Sequence, residues 1–592
     1  MTELPQHPHY TLSVASKSQH LFNVELRIPN SESTSITLTL PAWIPGSYMI
    51  RDFARNIVSI EAKSSDERIL PVRKVDKQTW QVENQGKELT VKYQIFAFDL
   101  SVRSAFINDQ YAFCNGTSVF LQVRGMETRP HSLEIAPPED ENWLIETTMP
   151  VKNKHYQARD YAELIDHPIF IGQALTKSFT VDDVEFVMLF SGNDPLDIER
   201  ICQDMIPVCQ HHLNLFDKPY PVERYVFMTL LSNDGFGGLE HRSSTALLFP
   251  RFELPLSGEP ATKTDGYTTF LSLCSHELFH TWHVKRIKPA SMVSPDMGKE
   301  VFTEQLWIYE GFTSFYDDLT LARTGLISPD KYLEIVGQNI TRLLQSGGRH
   351  MQSAAQSSFD AWTRFYKQDA NSINHIVSYY TKGGIIAMGL DLLIREKSQQ
   401  RYSLDDLMRL LWTHYGKDES GTPDDVIEHL CNNFLNIDVS TYLDEVVHGT
   451  NDVPLENWLD DIGIAMVYRP KRGMTDKGGV KGPEHSQNQH FGANIKNASP
   501  GVTVAQIMDN TPASAAGLQN NDVIIAADNY VVDDKLLERF VNNKQKGAIM
   551  LTVIREGRLL SLNLVPQKAV NDACYFVITD RKKLHQWLGL PV

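Results

Sequence analysis

The sequence has few of the features that mark several large classes of protein. Its 592 residues include only six cysteines, and no two of them form a CxxC pair. Neither a disulfide framework nor a cysteine-based zinc ribbon is therefore indicated. No apolar run reaches the ~18 residues that a membrane-spanning helix needs. The first ten residues lack the basic and apolar regions of a signal peptide, so we expect a cytoplasmic protein without a membrane span.

Positive charge is also scarce. The chain has 56 Lys and Arg residues against 73 Asp and Glu residues, which gives a net charge of −17. A chain this acidic should repel polyphosphate, so we expect no nucleic-acid partner. The hydrophobic fraction of 42% and the charged fraction of 22% are typical of an ordinary globular protein. At ~150 residues per domain, the length suggests roughly three to four domains.

The spacing of apolar residues changes along the chain and predicts a multidomain α+β protein. Short alternating segments separated by turn-forming residues predict a β-sandwich-like domain in the first ~170 residues. Helical spacing then predominates from about 268 to 447, and a Gly- and Lys-rich stretch after 470 predicts a linker. A compact region of strands and one helix follows it. The predicted helices are 268–287, 303–323, 330–346, 373–397 and 404–414.

The most informative motif is HELFH at 276–280. His276 and His280 are four residues apart, so they lie on one face of a helix and can both bind one zinc ion. Glu277 lies beside them, where a carboxylate can take a proton from an activated water molecule. Apolar neighbours predict a buried helix, in which both histidines need partners. The alternative is an ordinary helix with two surface histidines.

A catalytic zinc ion needs a third protein ligand and an open position for water. His283 shares the predicted helix face, but it lies ~10 Å along the axis from His276 and cannot bind the same ion. We expect it to be a pocket residue or an ordinary buried histidine. Glu310 is the stronger candidate, because a carboxylate within the apolar run 306–313 should meet a cation, either the metal or an arginine. The adjacent Gly311 weakens the helix and predicts close packing there.

Two further segments fit a peptide-cleaving site. Gly237 and Gly238 follow a predicted strand, and their backbone could bind an extended peptide as an added strand. Glu240 would then point a carboxylate towards the α-ammonium group of the substrate. A glycine-rich hairpin with a surface glutamate is the simpler alternative. The hydroxyl of Tyr379 or Tyr380 could donate a hydrogen bond to the oxyanion of the tetrahedral intermediate, although two aromatic residues in a helix are also typical of a core.

These motifs together resemble the glycyl aminopeptidase family of gluzincin metallopeptidases, in the branch with a C-terminal PDZ domain. The similar segments run in family order over most of the chain, at 41–53, 96–103, 237–241, 276–289, 307–316 and 379–384. The resemblance implies a β-sandwich-like N-terminal domain (1–172), a thermolysin-like zinc catalytic domain (173–325), a helical domain (326–470), a linker (471–487), a PDZ domain (488–568) and a C-terminal tail (569–592).

The resemblance also implies a role for each residue of the metal site. His276, His280 and Glu310 match the zinc ligands of the family, and Glu277 matches the general base. One zinc ion per chain is therefore implied. The implied activity is zinc-dependent removal of the N-terminal residue from peptides, with Gly or Ala favoured.

The substrate-binding residues follow in the same way. Glu240 matches the glutamate that binds the free N-terminus of the substrate, with Gly237 and Gly238 beside it. Tyr380 fits the Tyr-x-Lys-Gly pattern that carries the transition-state tyrosine, whereas Tyr379 does not. The implied partners are peptides with a free N-terminus.

The C-terminal domain resembles PDZ domains of the protease-associated kind. Its segment 511–524 is similar to the pattern PASxAGLxxGDxI, with Asn521 where glycine is usual. Phe491, Gly492 and Ala493 would form the loop whose backbone N–H groups receive the carboxylate of a C-terminal peptide. Alternatively, the domain serves only as packing for the catalytic part.

Two other functions stay open from the sequence. In the first, the metal site is residual and the protein acts as a PDZ-mediated, chaperone-like peptide binder. In the second, it is a zinc endopeptidase. The apolar end of the chain, 588–592, is a peptide of the kind that a PDZ groove accepts, so we also expect that it could dock in such a groove, its own or that of a neighbour.

Overall fold

The computed structural model describes residues 6–30, 33–137, 142–152, 154–482, 489–544 and 546–591. The chain divides into two compact units. The first comprises Met1–Val301 and Leu411–Thr422, and the second comprises Phe302–Leu410 and Pro423–Val592.

The first unit begins with three β-sheets. Burial alternates along their strands, as in Leu21–Ile28, where every second side chain enters the core. The largest sheet has the order Val151–Lys152, His155–Ala158, His131–Ile135, His9–Ser16, Leu21–Ile28, Leu89–Phe96, Ile57–Ser64 and Ile69–Leu70. The two four-stranded sheets are Leu144–Glu146, Ile169–Gly172, Tyr111–Cys114 and Ala105–Ile107, and Gln122–Val123, Ser35–Thr39, Thr79–Glu83 and Val72–Lys74.

A fourth sheet of the first unit carries the candidate site. Its five strands are, in spatial order, Ala174–Val181, Val184–Ser191, Arg224–Ser232, Ser244–Pro250 and Gly237–Glu240. The three central strands are parallel to one another, and the last strand pairs antiparallel at one edge. Side chains from this sheet, including Leu189, Met228 and Leu239, join the same hydrophobic cluster as the N-terminal strands. The N-terminal domain therefore packs directly against the sheet.

The α-helices of the first unit are Gly116–Val119, Tyr161–Ile165, Ile198–Phe216 and Asp265–Phe279, within the described residues. Short 3₁₀ turns lie at Phe53–Asn56, Arg251–Glu253 and Ala290–Met292, and a π-helical turn lies at Trp412–Gly416. Across the described ranges, no helix has both the length and the apolar character that crossing a bilayer requires.

The second unit is mostly helical up to residue 462. Its helices are Leu306–Tyr309, Gly311–Arg323, Pro329–Leu344, Ala354–Phe359, Ser372–His375, Tyr379–Lys397, Leu404–Leu411, Val426–Leu430 and Ser440–Leu443, and the last two continue into π-helical turns at Cys431–Leu435 and Asp444–His448. Four short 3₁₀ turns lie at Gly347–His350, Phe365–Lys367, Leu455–Asn457 and Leu459–Ile462. The predicted helix 303–323 is thus two helices, and the predicted helix 373–397 is also interrupted.

The remainder of the second unit is a small β domain with its connections. The domain sheet contains Ala493–Asn497, Val502–Ile507, Val523–Ala527, Ile549–Arg555 and Arg558–Leu564, with Tyr530–Val531 on the third of these, and its helices are Pro512–Ala515 and Asp534–Asn543. Two flanking strand pairs are Ile464–Arg469 with Ala573–Ile578, and Gln489–His490 with Gln567–Lys568.

The predicted linker is partly built into the second unit. Arg469 forms an ion pair with Asp476 at 2.6 Å, and the Gly479 N–H donates to the Cys574 carbonyl at 2.7 Å. Residues 471–482 are therefore held in place by tertiary contacts, while 483–488 of the predicted linker lie outside the described residues.

Candidate active site

The helix Asp265–Phe279 positions the HELFH motif. Its N-cap is Thr264, whose hydroxyl accepts a hydrogen bond from the Tyr267 N–H at 3.0 Å. The helix ends at Phe279 with His280 as C-cap, eight residues before the predicted end at 287. The cationic residues at the end of the predicted helix therefore do not form a last helical turn. Instead, Arg286 donates to the backbone carbonyl of Thr281 at 2.6 Å, outside the helix.

The two histidines of the motif face each other as the i, i+4 spacing predicts. The ring centroids of His276 and His280 are 4.7 Å apart, with the rings nearly perpendicular. The Nδ1 atom of His280 donates to the backbone carbonyl of His283 at 2.6 Å. This hydrogen bond fixes the tautomer of His280 and leaves its Nε2 atom available to a metal. The backbone carbonyl of His283 thus orients His280, the candidate ligand. The pattern of side chains along the sequence could not reveal this role of His283.

Glu277 lies under the edge strand Gly237–Glu240. Its Oε2 accepts a hydrogen bond from the Thr245 hydroxyl at 3.3 Å, and the residue is 4% exposed. A Cβ atom added to Gly238 would lie 2.5 Å from the Glu277 carboxyl carbon. Gly238 is therefore required because the Glu277 side chain occupies the space that any other residue would fill.

The carboxylate of Glu240 points to the same place. One potential ligand atom each from Glu240, Glu277 and His280 lies within 4.8 Å of the others. Glu240 is 4% exposed, and its Oε1 atom has no hydrogen-bond partner among the described residues. A buried carboxylate oxygen without a donor is costly, so this atom is poised to accept from a cationic ligand.

The N-terminal domain closes one side of Glu240 through Gly46. Gly46 has φ +92°, and a Cβ atom at this position would lie 2.6 Å from the Glu240 carboxyl carbon. Its neighbours Trp43 and Tyr48 are each 1% exposed, so the loop is firmly packed. The similar segment 41–53 signalled this loop in the sequence, but only the structure shows that it touches Glu240.

For the aminopeptidase activity that the family resemblance implies, replacing Gly46 with alanine is expected to lower kcat/KM for unblocked peptides by about 10²-fold, because the new methyl group displaces the Glu240 carboxylate. Steady-state kinetics with a free tripeptide would measure the effect. Gly125→Ala is the matched control, since Gly125 has φ +83° and nothing within 4 Å of an added Cβ. The Gly125→Ala variant should show a similar decrease in the free energy of unfolding, because of backbone strain, and should keep its activity. Equal activity losses in both variants would contradict the contact with Glu240.

A buried ionic network holds His241, the residue next to Glu240, in place. Asp166 accepts from Lys285 Nζ at 2.7 Å and lies 3.4 Å from His241 Nδ1. Burial alone would raise the pKa of Asp166, but Lys285 and His241 hold it well below its usual value. Asp166 thereby ties the end of the edge strand to the segment that follows the HELFH helix. Sequence reasoning did not identify Asp166, because nothing in its local pattern distinguishes it from a surface aspartate.

In the second unit, Glu310 lies at the junction of the helices Leu306–Tyr309 and Gly311–Arg323. It is 2% exposed. A Cβ atom on Gly311 would lie 2.5 Å from the Gly383 backbone, so these two glycines let the helix Tyr379–Lys397 approach closely. The sequence predicted that another element packs closely against Gly311, and the structure has this close packing.

Tyr380 lies in the first turn of Tyr379–Lys397, whose N-cap is Ser378. The Tyr380 hydroxyl is 3.3 Å from that of Tyr366. Burial, and then the negative charge of Glu310, raise the pKa of Tyr380 well above its usual value, so it stays a protonated donor. Tyr379 is fully buried and its ring packs on Phe365 at 4.7 Å, as expected of a core residue.

The predicted carboxylate-binding loop of the C-terminal domain lines a cavity. Phe491, Gly492 and Ala493 face a space of about 460 Å³, which the helix Asp534–Asn543 also borders through Glu538 and Val541. Gly492 has φ +84°. Asn521, which stands where glycine is usual, has φ +69°, a conformation that asparagine tolerates better than most residues.

The end of the chain does not lie in this cavity. The helix Arg581–Leu588 packs through Trp587, which donates to Asp391 at 2.8 Å, and its Leu584 and Leu588 are fully buried. Docking of the tail in its own groove would require this helix to detach, so that alternative is wrong for the described residues, and docking in the groove of a neighbour stays a prediction. Val592 itself lies outside them.

Comparisons with known proteins identify the family of the chain. The family model of the M61 peptidase N-terminal domain matches residues 9–173, that of the M61 glycyl aminopeptidase matches 269–386, and that of a PDZ domain matches 489–565. A comparison with curated protein sequences finds no match.

A solved structure of a relative is similar over nearly the whole chain. The crystal structure of an aminopeptidase N family protein from Idiomarina loihiensis has 35% sequence identity and a TM-score of 0.95, and the match covers 98% of this chain and 100% of that one. An M1 zinc metallopeptidase from Deinococcus radiodurans has 13% identity and a TM-score of 0.42, covering 72% and 90%. Legionella pneumophila aminopeptidase A has 14% identity and a TM-score of 0.44, covering 74% and 48%.

The relationship predicted from the motifs, and the multidomain α+β fold with it, are thus confirmed. The N-terminal, catalytic and PDZ matches occur in the predicted order along the chain. The chain is a metallopeptidase that belongs to the M61 glycyl aminopeptidase family, with a C-terminal PDZ domain.

Proposed function

We propose that this protein is a zinc-dependent aminopeptidase that removes an N-terminal residue, preferably Gly or Ala, from peptides with a free N-terminus. The observation that carries the proposal is the Oε1 atom of Glu240, which is buried without a hydrogen-bond partner among the described residues. Glu240 lies on the edge strand, and its carboxylate is beside Glu277 and His280. A protonated α-amino group would donate a charge-assisted hydrogen bond to this carboxylate and balance its charge, whereas an internal peptide segment offers only neutral N–H donors.

From the HELFH motif and the family resemblance, the proposed metal ligands are His276, His280 and Glu310, a set of two imidazole nitrogens and one carboxylate oxygen that suits one zinc ion. The donor set fits zinc, and His280 has the carbonyl partner that orients such ligands. A bound zinc ion would supply Lewis acidity, polarising the scissile carbonyl and acidifying water. Glu310 would neutralise part of its charge.

Each remaining step is assigned to named residues of the chain. Glu240 holds the substrate ammonium group and so places the first peptide bond at the site. Glu277 takes the proton from the attacking water molecule and passes it to the nitrogen of the leaving amine. Tyr380 donates a hydrogen bond to the oxyanion. Gly237 and Gly238 bind the substrate backbone as an added strand.

The preference for small residues rests on the family resemblance and on the loop around Gly46. That loop is packed against the Glu240 carboxylate, and it restricts the space beside the bound ammonium group. We also assign the loop Phe491–Gly492–Ala493 to a C-terminal peptide ligand. We also propose that the domains extend over 1–172, 173–325, 326–470 and 488–568, with a linker at 471–487 and a tail at 569–592.

The proposal is tested with peptides that begin with Gly, Ala or Leu, each with a free or an N-acetylated N-terminus. We expect release of the first residue from the free peptides, fastest for Gly and Ala, and little cleavage of the acetylated ones. A chelator should abolish the activity, and added zinc should restore it. Product analysis by mass spectrometry identifies the bond that is cut.

Other outcomes would identify the alternatives. Efficient internal cleavage of acetylated peptides would indicate an endopeptidase, because Glu240 would then not bind an ammonium group. Absence of all cleavage by a protein that contains zinc would favour a PDZ-mediated binder with a residual metal site. In either case the proposed role of Glu240 is wrong.

A further inference from the structure

The substrate has a defined direction along the edge strand Gly237–Glu240, provided that the proposed function holds. Glu240, at the end of the strand, binds the ammonium group. The Glu277 carboxylate, which protonates the leaving nitrogen, lies against Gly238, two residues earlier. The peptide therefore runs antiparallel to the strand, and the residues after the scissile bond extend towards Gly237.

An arginine of the N-terminal domain stands at that far end. Gly237 has space for a Cβ atom, and the nearest atom to such a Cβ is Nη1 of Arg103, at 3.6 Å. Alternation along the strand turns Gly237 to the face opposite Gly238 and Glu240. Arg103 thus approaches the strand from the face opposite Glu277. A peptide that extends the sheet at this edge can be contacted by side chains from both faces of the sheet.

The guanidinium group of Arg103 has no hydrogen bond or ion pair within the described part of the chain. Its Nε atom is buried without a partner. Three other arginines also bury Nε in this way, but their terminal nitrogens are bound: Arg51 to Ser47, Arg251 to Asp194 and Arg349 to Asp452. A half-buried arginine with no anionic partner is costly unless a ligand supplies one.

The backbone that carries Arg103 is held firmly. Arg103 lies at the tip of a hairpin in which the Asp99 N–H donates to the Ala105 carbonyl at 3.2 Å. Asn115, fully buried, donates to the Val102 carbonyl at 2.8 Å. The tip therefore presents Arg103 at a fixed place beside Gly237, which is the preorganisation that a binding residue needs.

We infer that Arg103 binds the C-terminal carboxylate of short peptide substrates, which makes tripeptides the preferred length. Glu240 lies three residue steps after Gly237 along the strand, a rise of about 10 Å at about 3.4 Å per residue. An extended tripeptide spans about the same length, so its ammonium group can reach Glu240 while its carboxylate reaches Arg103. Arginine suits this role because its planar fork pairs with a carboxylate through two hydrogen bonds.

The test compares three substrates that differ only where Arg103 acts: Ala-Ala-Ala, its C-terminal amide and Ala-Ala-Ala-Ala-Ala. For Arg103→Ala we expect kcat/KM to fall about 10- to 100-fold with Ala-Ala-Ala, mainly through KM. The amide and the pentapeptide should change little, because one lacks the carboxylate and the other carries it about 7 Å further on. Arg103→Lys should keep part of the activity.

Arg73→Ala serves as the matched control, because Arg73 is an exposed arginine of the same N-terminal domain whose side chain contacts Gln81. It should leave all three rates unchanged. An equal fall for all three substrates in Arg103→Ala, or no fall for any, would overturn the carboxylate site while the aminopeptidase activity stands. If the wild-type protein cleaves none of the three, the proposed function fails, and the inference fails with it.

Discussion

Replacing Glu277 with glutamine is expected to lower kcat by about 10²- to 10⁴-fold while the metal stays bound. The amide cannot take a proton from the attacking water or return one to the leaving amine. The side chain keeps its shape, and its oxygen can still accept from the Thr245 hydroxyl, which is 3.3 Å from Oε2 in the wild type. The measurement is steady-state hydrolysis of an alanine-leading peptide together with the zinc content of the purified variant.

The zinc content of the variant distinguishes a loss of proton transfer from a loss of the bound metal. His280→Ala is the contrasting variant, since it removes a proposed ligand and should lose both the activity and the metal. A Glu277→Gln variant that keeps wild-type turnover would show that Glu277 is not the general base. Loss of zinc from that variant would instead place the carboxylate of Glu277 among the metal ligands.

Replacing Tyr380 with phenylalanine is expected to lower kcat by about 10²- to 10³-fold, the usual cost of removing one oxyanion donor. The phenol group is a protonated donor, because burial and the charge of Glu310 raise its pKa. KM should change much less, since the hydrogen bond forms only as the negative charge develops. Steady-state kinetics on the same peptide would measure both parameters.

Tyr379→Phe is the matched control for Tyr380→Phe. The two rings are neighbours, with centroids 4.7 Å apart, but Tyr379 is fully buried against Phe365. Tyr379→Phe should therefore affect the free energy of unfolding more than turnover. If the two variants lose kcat equally, the loss reflects disturbed packing and Tyr380 is not an oxyanion donor.

The N-terminal boundary of the HELFH helix follows from local chemistry, but its C-terminal boundary does not. Thr264 caps the helix through its own side chain, which is a local interaction. The cationic segment 285–288 also has the composition of a last helical turn. In the structure, however, Lys285 pairs with Asp166 and Arg286 donates to the Pro221 carbonyl at 2.9 Å. Partners more than sixty residues away determine that boundary, and no local pattern contains them.

Glu310 and Gly311 show how far sequence reasoning reaches into the second unit. A carboxylate in an apolar run predicted a buried ligand, and a helix-weakening glycine beside it predicted a close neighbour. Both residues are buried, and Gly311 meets Gly383. The sequence could not predict that the helix breaks at Glu310, because helical spacing continues on both sides of the break.

The sequence by itself determined the metal-binding motif on which the proposed chemistry rests. The i, i+4 spacing of His276 and His280, with Glu277 between them, specifies one face of one helix, where local geometry is nearly invariant. Only the tertiary structure decided what surrounds that face. Gly46 against Glu240 and Arg103 beside Gly237 join residues more than one hundred positions apart. Such contacts depend on how the sheets of the N-terminal domain pack against the catalytic sheet, and no periodicity along the chain encodes that packing.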